Sequence, residues 1–275
     1  MRQKILLLSS CAVLLLSLYV TEWHSAQQKT PVKTNLEYQL GAILYMQKAA
    51  EYRALCYQAF NWAKKVIDED ERNLKKLPKS ERKKPRAIVF DIDETILDNS
   101  PSIAYGLVNN KPFNLQDWYA WGEMRKAKPI PGSVEFAKYA NSKGIRIFYV
   151  SNRDEVQKQA TIDNLQRVGF PDVSSETVLL RQNESSKEPR RQFIASKYRI
   201  VLLMGDNLND FAQQFEKKSV EDRFAETDKI RDIWGGRFIV LPNAMYGDWE
   251  NAIYGYQRLT EEQKAQKRFE SLELP

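Results

Sequence analysis

Histidine is almost absent from this chain: among 275 residues there is only His24, and it lies in the N-terminal segment. Serine–histidine triads, histidine-nucleophile phosphoryl transfer and multi-histidine metal sites have nothing to build on in the body of the protein. Cysteine is nearly as scarce, since Cys11 and Cys56 alone make neither a disulfide scaffold nor a cysteine-rich zinc site. Proton transfer and metal ligation must therefore fall mainly to carboxylates. Apolar and aromatic residues are plentiful, at 43% and 11% of the chain, so it is not disordered and can bury a sizeable core. The length suits one large domain or a domain with an elaborated cap.

Long apolar runs are missing too, with one exception. Residues 5–20 carry no charge and follow Arg2 and Lys4. A basic stretch before a short apolar run is the layout of an export signal, and it is slightly short for a membrane span. Residues 1–26 therefore read as a signal or anchor segment with three open fates. These are cleavage near His24-Ser25-Ala26, lipidation at Cys11 of the lipobox-like Leu8-Ser9-Ser10-Cys11, or retention as an uncleaved anchor. Each exports the body to the periplasm, outer membrane or cell surface of a bacterium, and membrane association through the N-terminus stays open. The net charge of +6 is compatible with anionic substrates or surfaces. Bases and acids alternate through most of the chain, which speaks against a nucleic-acid polymer as ligand. Lys79–Arg86 is basic and reads as a solvated linker entering a strand.

The body divides at that linker. Residues 27–85 form an N-terminal helical region: Leu36, Leu40, Ile43, Leu44, Leu55, Ala59, Trp62 and Val66 recur at helical spacing, and Pro78 ends the run. No glycine or proline interrupts 42–77, which predicts one long helix or a helix pair. Residues 86–275 change to short apolar runs at 87–90, 145–150, 177–180, 200–204 and 238–241, separated by helical stretches such as 133–142, 155–168 and 188–198. This alternation predicts an α/β fold, a Rossmann-like, mainly parallel sheet with helices on both faces. A smaller helical cap, to which the N-terminal helices are assigned, includes an insertion at about 98–131. Ligands of such sheets bind beyond the carboxyl ends of the strands.

Chemistry-bearing residues follow those strands. Asp91-Ile92-Asp93-Glu94-Thr95 comes after the first, Ser151-Asn152-Arg153 after the second, and Gly205-Asp206-Asn207-Leu208-Asn209-Asp210 after the fourth, while Lys187 precedes a helix between the third and fourth. Singly, each is more often a turn former, a helix cap or a solvated charge. Together they put carboxylates, a hydroxyl and an amine at one sheet edge.

Asp91–Thr95, Ser151, Lys187 and Asp206/Asp210 are similar to motifs I to IV of the haloacid dehalogenase superfamily. DIDETILDNS (91–100), the Trp118/Trp121 pair with Pro131-Gly132, YVSNR (149–153), SSKEPRR (185–191), GDNLNDF (205–211) and LPNAMYGDWE (241–250) resemble the class C acid phosphatases. These are exported bacterial phosphatases of the DDDD type, often lipoproteins, many acting on nucleoside 5′-monophosphates. Two departures are Ser151, where many members carry threonine, and Asn209, where several carry another aspartate.

The resemblance implies a phosphomonoester hydrolase with one Mg²⁺ per site. Asp91 would be the nucleophile of an aspartyl-phosphate intermediate, and Asp93 the acid for the leaving oxygen and then the base for water. The metal would be held by the Asp91 carboxylate, the Asp93 main-chain carbonyl and the Asp206 carboxylate, with Asp210 orienting a bound water or Lys187 from behind. Ser151 and Lys187 would hold phosphoryl oxygens. Asp93 must be protonated at the first step, and crowding by Asp91 and Asp206 would favour that form, so an acidic optimum is expected. Trp118 and Tyr246 occupy positions where the family stacks rings on a nucleobase, and Asn99 and Asn243 are looser candidates for ribose or base contacts. The resemblance also allows a homodimer. The alternative from another class is a non-catalytic surface binding protein, such as a haem-binding or adhesive lipoprotein.

Overall fold

The computed structural model describes residues 36–275, so residues 1–26, expected to be an export segment, lie outside the described residues. In chain order the elements are α1 (Leu40–Lys48), α2 (Ala50–Asn73), α3 (Lys79–Lys83), β1 (Arg86–Phe90), β2 (Leu97–Asp98), α4 (Ser100–Val108), α5 (Leu115–Met124), β3 (Lys128–Pro129), α6 (Ser133–Ser142) and β4 (Arg146–Asp154). They continue with α7 (Lys158–Val168), β5 (Val178–Arg181), α8 (Glu188–Lys197), β6 (Arg199–Gly205), α9 (Val220–Lys229), β7 (Phe238–Val240), α10 (Asp248–Ile253) and α11 (Glu261–Glu270). No helix among the described residues is long and apolar enough to cross a membrane.

Five strands pair in parallel in the order β5-β4-β1-β6-β7. The chain leaves the central strand β1 towards β4 and β5, then returns past it to β6 and β7. The carboxyl end of β1 is therefore the switch point where such sheets open a crevice. Alternate side chains feed two cores, as the period of two requires. Ile88, Phe90, Ile147, Tyr149, Leu202 and Met204 enter the larger one, and Ala87, Val89, Phe148, Val150 and Leu203 the other.

The N-terminal region does form a helix pair. The break falls at Ala49, whose extended backbone (ψ 129°) separates α1 from α2 without glycine or proline. Packing explains it: α1 lies against α4 and brings Ile43 and Met46 to the larger core, while α2 turns Tyr52, Cys56, Phe60, Ala63 and Ile67 into it from another direction. Burying each large apolar side chain is worth roughly 1.5–3 kcal/mol, enough to override a continuous helical preference. Gly132 (φ +88°) lets the chain pass beneath α2, because a Cβ there would sit 3.1 Å from Tyr57 and 3.2 Å from Phe60.

Between β1 and α6 the chain leaves the sheet. β2 and β3 pair antiparallel, Leu97 with Pro129 and Asp98 with Lys128, and this short ladder closes the segment that carries α4 and α5. Strand β4 runs on past the expected end of its apolar run. Its ladder with β1 stops at Tyr149, and pairing with β5 is irregular between Val150 and Asp154. Ser151 and Arg153 are thus strand residues that share one buried face, with Asn152 exposed between them.

Candidate active site

The carboxyl ends of β1, β4 and β6 open onto a cleft of about 640 Å³ that Asp91, Asp93, Ser151, Lys187, Asp206 and Asp210 all line. Trp118 and Tyr246 line it farther out, both half-buried.

Asp91 extends the first strand through its N–H to the Met204 carbonyl (2.8 Å). Its Oδ2 accepts from the Thr95 hydroxyl (3.0 Å), which also reaches Asp206 Oδ1 (3.2 Å). The Lys187 ammonium donates to Asp91 Oδ1 and to Asp210 Oδ1, the latter at 2.6 Å. Oxygens of Asp91, Asp206 and Asp210 lie within 4.8 Å of one another. Asp210 comes so close because of Gly205: a Cβ there would fall 2.4 Å from Asp210 Cβ. Asp210 Oδ2 is then held by the Asn207 N–H (3.0 Å).

Electrostatics follow from this crowding. Burial pushes the Asp91 carboxyl up to about 7, Lys187 opposing the rise and Asp210 and Asp93 adding to it. Asp206 is raised well above the ordinary range by burial, then by Asp210 and Asp91. Burial alone would lower Lys187, but Asp210 and Asp91 outweigh it and hold the ammonium charged. With all three carboxylates ionised, one ammonium would leave an excess of two negative charges, which the raised values of Asp91 and Asp206 relieve. A small all-oxygen cluster with that excess fits a hard divalent cation.

Asp93, two residues on, meets the opposite surroundings. Arg153 donates to Asp93 Oδ1 from Nε (2.9 Å) and Nη2 (2.7 Å), Asn99 Nδ2 donates to the same oxygen (2.9 Å), and the Ser151 hydroxyl donates to Oδ2 (3.0 Å). Crowding by acids is thus not what surrounds its carboxylate; donors enclose it. Arg153 was not among the site residues expected from the sequence, although its place two residues after Ser151 in a strand puts both on one face.

Of the two asparagines, Asn99 departs from the expectation. Asn99 is fully buried beneath Asp93 and Glu94, and Trp121 Nε1 donates to its Oδ1 (2.8 Å), so it is no ribose or base contact. Asn243 Nδ2 donates to Asp206 Oδ2 (2.8 Å). Asn209 stays outside the carboxylate cluster and donates to Asp248. The Tyr246 hydroxyl donates to Glu94, a buried acid at φ +58° that burial raises well above its usual range. Trp118 lies under the Arg153 guanidinium, 5.3 Å from ring centre to Cζ.

The parallel sheet with this acidic crevice at the end of its central strand has close counterparts among known proteins. A class C acid phosphatase from Bacillus anthracis is 40% identical, with a TM-score of 0.81 over 87% of this chain and 98% of that one. A second structure of that enzyme, with tungstate bound, matches equally. "Acid phosphatase 1" of Solanum lycopersicum is 27% identical over 133 residues, 44% of this chain, and the match spans half of the tomato protein's length. Residues 6–249 match the family model of the HAD superfamily, subfamily IIIB (acid phosphatase), and the chain belongs to that family of phosphomonoesterases. The alternative of a non-catalytic surface binding protein is set aside by this membership.

Proposed function

We propose that the chain hydrolyses phosphomonoesters, nucleoside 5′-monophosphates among them, through an aspartyl-phosphate on Asp91. The observation that carries the reading is the convergence of Asp91, Asp206, Asp210 and Lys187 within one buried cluster, with Asp93 beside it. Lys187 and Thr95 hold the two oxygens of Asp91 and aim the nucleophile. Asp93 protonates the departing ester oxygen and later takes a proton from water. Ser151 and Lys187 turn from their carboxylate partners to the non-bridging oxygens of the phosphoryl group, charge compensation this reaction requires. The Asp91 and Asp206 carboxylates and the Asp93 main-chain carbonyl would hold Mg²⁺, with Asp210 steadying Lys187. When bound, the ion would neutralise charge between the nucleophile and the phosphate. Tungstate, an oxyanion of phosphate shape, is bound in a structure of the Bacillus anthracis enzyme and supports an oxyanion as the ligand class.

Trp118 and Tyr246 border the cleft and would stack on a base, which tolerates any base because all have π-faces. Residues 1–26 would export the protein, with periplasmic or cell-surface placement and, if Cys11 is lipidated, membrane attachment. Mass spectrometry of the processed N-terminus distinguishes these fates, and an unprocessed cytosolic chain would refute export.

The purified protein should release phosphate from AMP, glycerol 2-phosphate and p-nitrophenyl phosphate. EDTA should abolish the release and Mg²⁺ restore it, while Asp91→Asn should lose turnover on the order of 10⁴-fold. Indifference to EDTA would remove the metal from the scheme, and full turnover in Asp91→Asn would remove the nucleophile. Tyr246→Ala should weaken AMP more than glycerol 2-phosphate; equal losses would mean that the ring only packs.

A further inference from the structure

The two oxygens of Asp93 are not equivalent. Oδ1 accepts three hydrogen bonds: Arg153 Nε at 2.9 Å, Arg153 Nη2 at 2.7 Å and Asn99 Nδ2 at 2.9 Å. Oδ2 accepts the Ser151 hydroxyl at 3.0 Å and only a longer contact from Arg153 Nε, 3.2 Å. Because a carboxylate oxygen with three donors is saturated, Oδ1 cannot exchange a proton without breaking one of these bonds, two of which come from a cation. Oδ2 becomes available as soon as the serine turns to another acceptor.

The clamp on Oδ1 is itself held from behind. Arg153 Nη1 donates to Thr161 (3.2 Å) and Nη2 also to Asn99 Oδ1 (3.2 Å). Trp121 Nε1 donates to the same Asn99 oxygen (2.8 Å). Two donors on Oδ1 of Asn99 fix the orientation of its amide, so Nδ2 must face Asp93. The Asn99 main-chain N–H is tied to Glu94 Oε1 (2.7 Å). Both clamp residues are buried, Arg153 at 3% exposure and Asn99 at 0%, so neither is free to serve as a solvent-exposed substrate contact.

We propose that Arg153 and Asn99 are positioning residues that lock Asp93 Oδ1 and leave Oδ2 as the one oxygen that carries the proton. This inference rests on the reading of Asp93 as the acid. In the first step an Asp91 carboxylate oxygen bonds phosphorus while the phosphorus–ester oxygen bond breaks. The electron pair left on the ester oxygen takes the proton from Asp93 Oδ2. The same oxygen then receives a proton from the water that cleaves the aspartyl-phosphate. Ser151 links the two events, since its hydroxyl rests on Oδ2 in the substrate-free protein and leaves it when a phosphoryl oxygen takes its place.

A role in proton delivery differs measurably from a role in folding. p-Nitrophenolate leaves without a proton, whereas the alkoxide of glycerol 2-phosphate needs one. The ratio kcat/KM covers steps through phosphoryl transfer to Asp91, so slow hydrolysis of the shared intermediate does not mask the difference. Asp93→Asn, Asn99→Ala, Arg153→Lys and Arg153→Ala are assayed on both substrates in the full-length protein with Mg²⁺, with the thermal midpoint measured for each. In Asp93→Asn and in the clamp variants the loss should be at least about tenfold greater on glycerol 2-phosphate than on p-nitrophenyl phosphate, within the range of general-acid catalysis. Added guanidinium should restore part of the glycerol 2-phosphate rate in Arg153→Ala and none in Asp93→Asn. Should Arg153→Ala fail to fold, Arg153→Lys and Asn99→Ala carry the comparison. Equal losses on both substrates in the clamp variants, with Asp93→Asn still selective, would overturn the positioning role alone. Equal losses in Asp93→Asn would overturn the acid and the clamp together, while leaving Asp91 as nucleophile untouched.

Discussion

Asp91 and Asp93 are two residues apart and live in opposite electrical surroundings. Around Asp91 the neighbours are acids, Asp206 and Asp210, with Lys187 as the single cation, and burial pushes its carboxyl up to about 7. Around Asp93 the neighbours are donors: a doubly bonded guanidinium, an amide and a hydroxyl. One side is short of positive charge and the other is fully supplied. Ile92, wholly buried between them, turns to the opposite side and anchors both to the core. On the proposed reading, the division would let one strand end accommodate a cation and a phosphate beside Asp91 while Asp93 keeps a fixed geometry for proton transfer.

The comparison can be broken most severely at Lys187. Replacing it by methionine leaves the buried Asp91 and Asp210 without their cation and should cost about 3–5 kcal/mol, the penalty for stripping one partner from a buried ion pair. Denaturant unfolding of Lys187→Met against the parent, without divalent ions, measures this. An unchanged midpoint would mean that the two acids are already neutral. On the other side, Asp93→Asn weakens charged hydrogen bonds to Arg153 and should cost about 1.5–3 kcal/mol. Gly205→Ala forces Asp210 away from its place and should cost about 1–3 kcal/mol, with a loss of turnover because Lys187 loses a support.

The smallest expected effect has the opposite sign. Asp206 is raised by burial and by its acidic neighbours, so ionising it in the folded protein opposes folding. That cost is absent below its unfolded pKa and grows as pH rises towards the folded value. In cation-free buffer Asp206→Asn should therefore melt higher than the parent at pH 7.5, by about 2–4 °C for each kcal/mol relieved. The gain should shrink towards pH 5. A variant that melts lower at both values would show that the cluster is not electrically overloaded. Taken together, asparagine should destabilise at 93 and stabilise at 206.

Much of this was legible beforehand. Buried parallel strands read as apolar runs, and aspartates at their ends mark the crevice, which is why Asp91, Asp93, Asp206 and Asp210 stood out. Partners that depend on tertiary approach did not. Asn99 and Asn243 look like free polar residues near a ligand, yet the amide of Asn99 folds back onto Asp93 and that of Asn243 reaches Asp206 from another segment. Arg153 escaped notice because β4 was expected to end at Val150, which left the residue in a loop with no defined face. The break at Ala49 carries no glycine or proline and is decided by what each helix packs against.

That break limits where the chain can be shortened. Residues 50–73 cover one face of the sheet, and Tyr52, Cys56, Phe60, Ala63 and Ile67 belong to the same core as Phe90 and Tyr149. Leu36, Tyr38 and Gln39 border the same cleft as Asp91 and Asp93. A protease that trimmed the protein back to the basic linker would uncover the sheet and remove one wall of the cleft in a single cut. Residues 36–85 thus serve as part of the enzyme and not as a dispensable stalk.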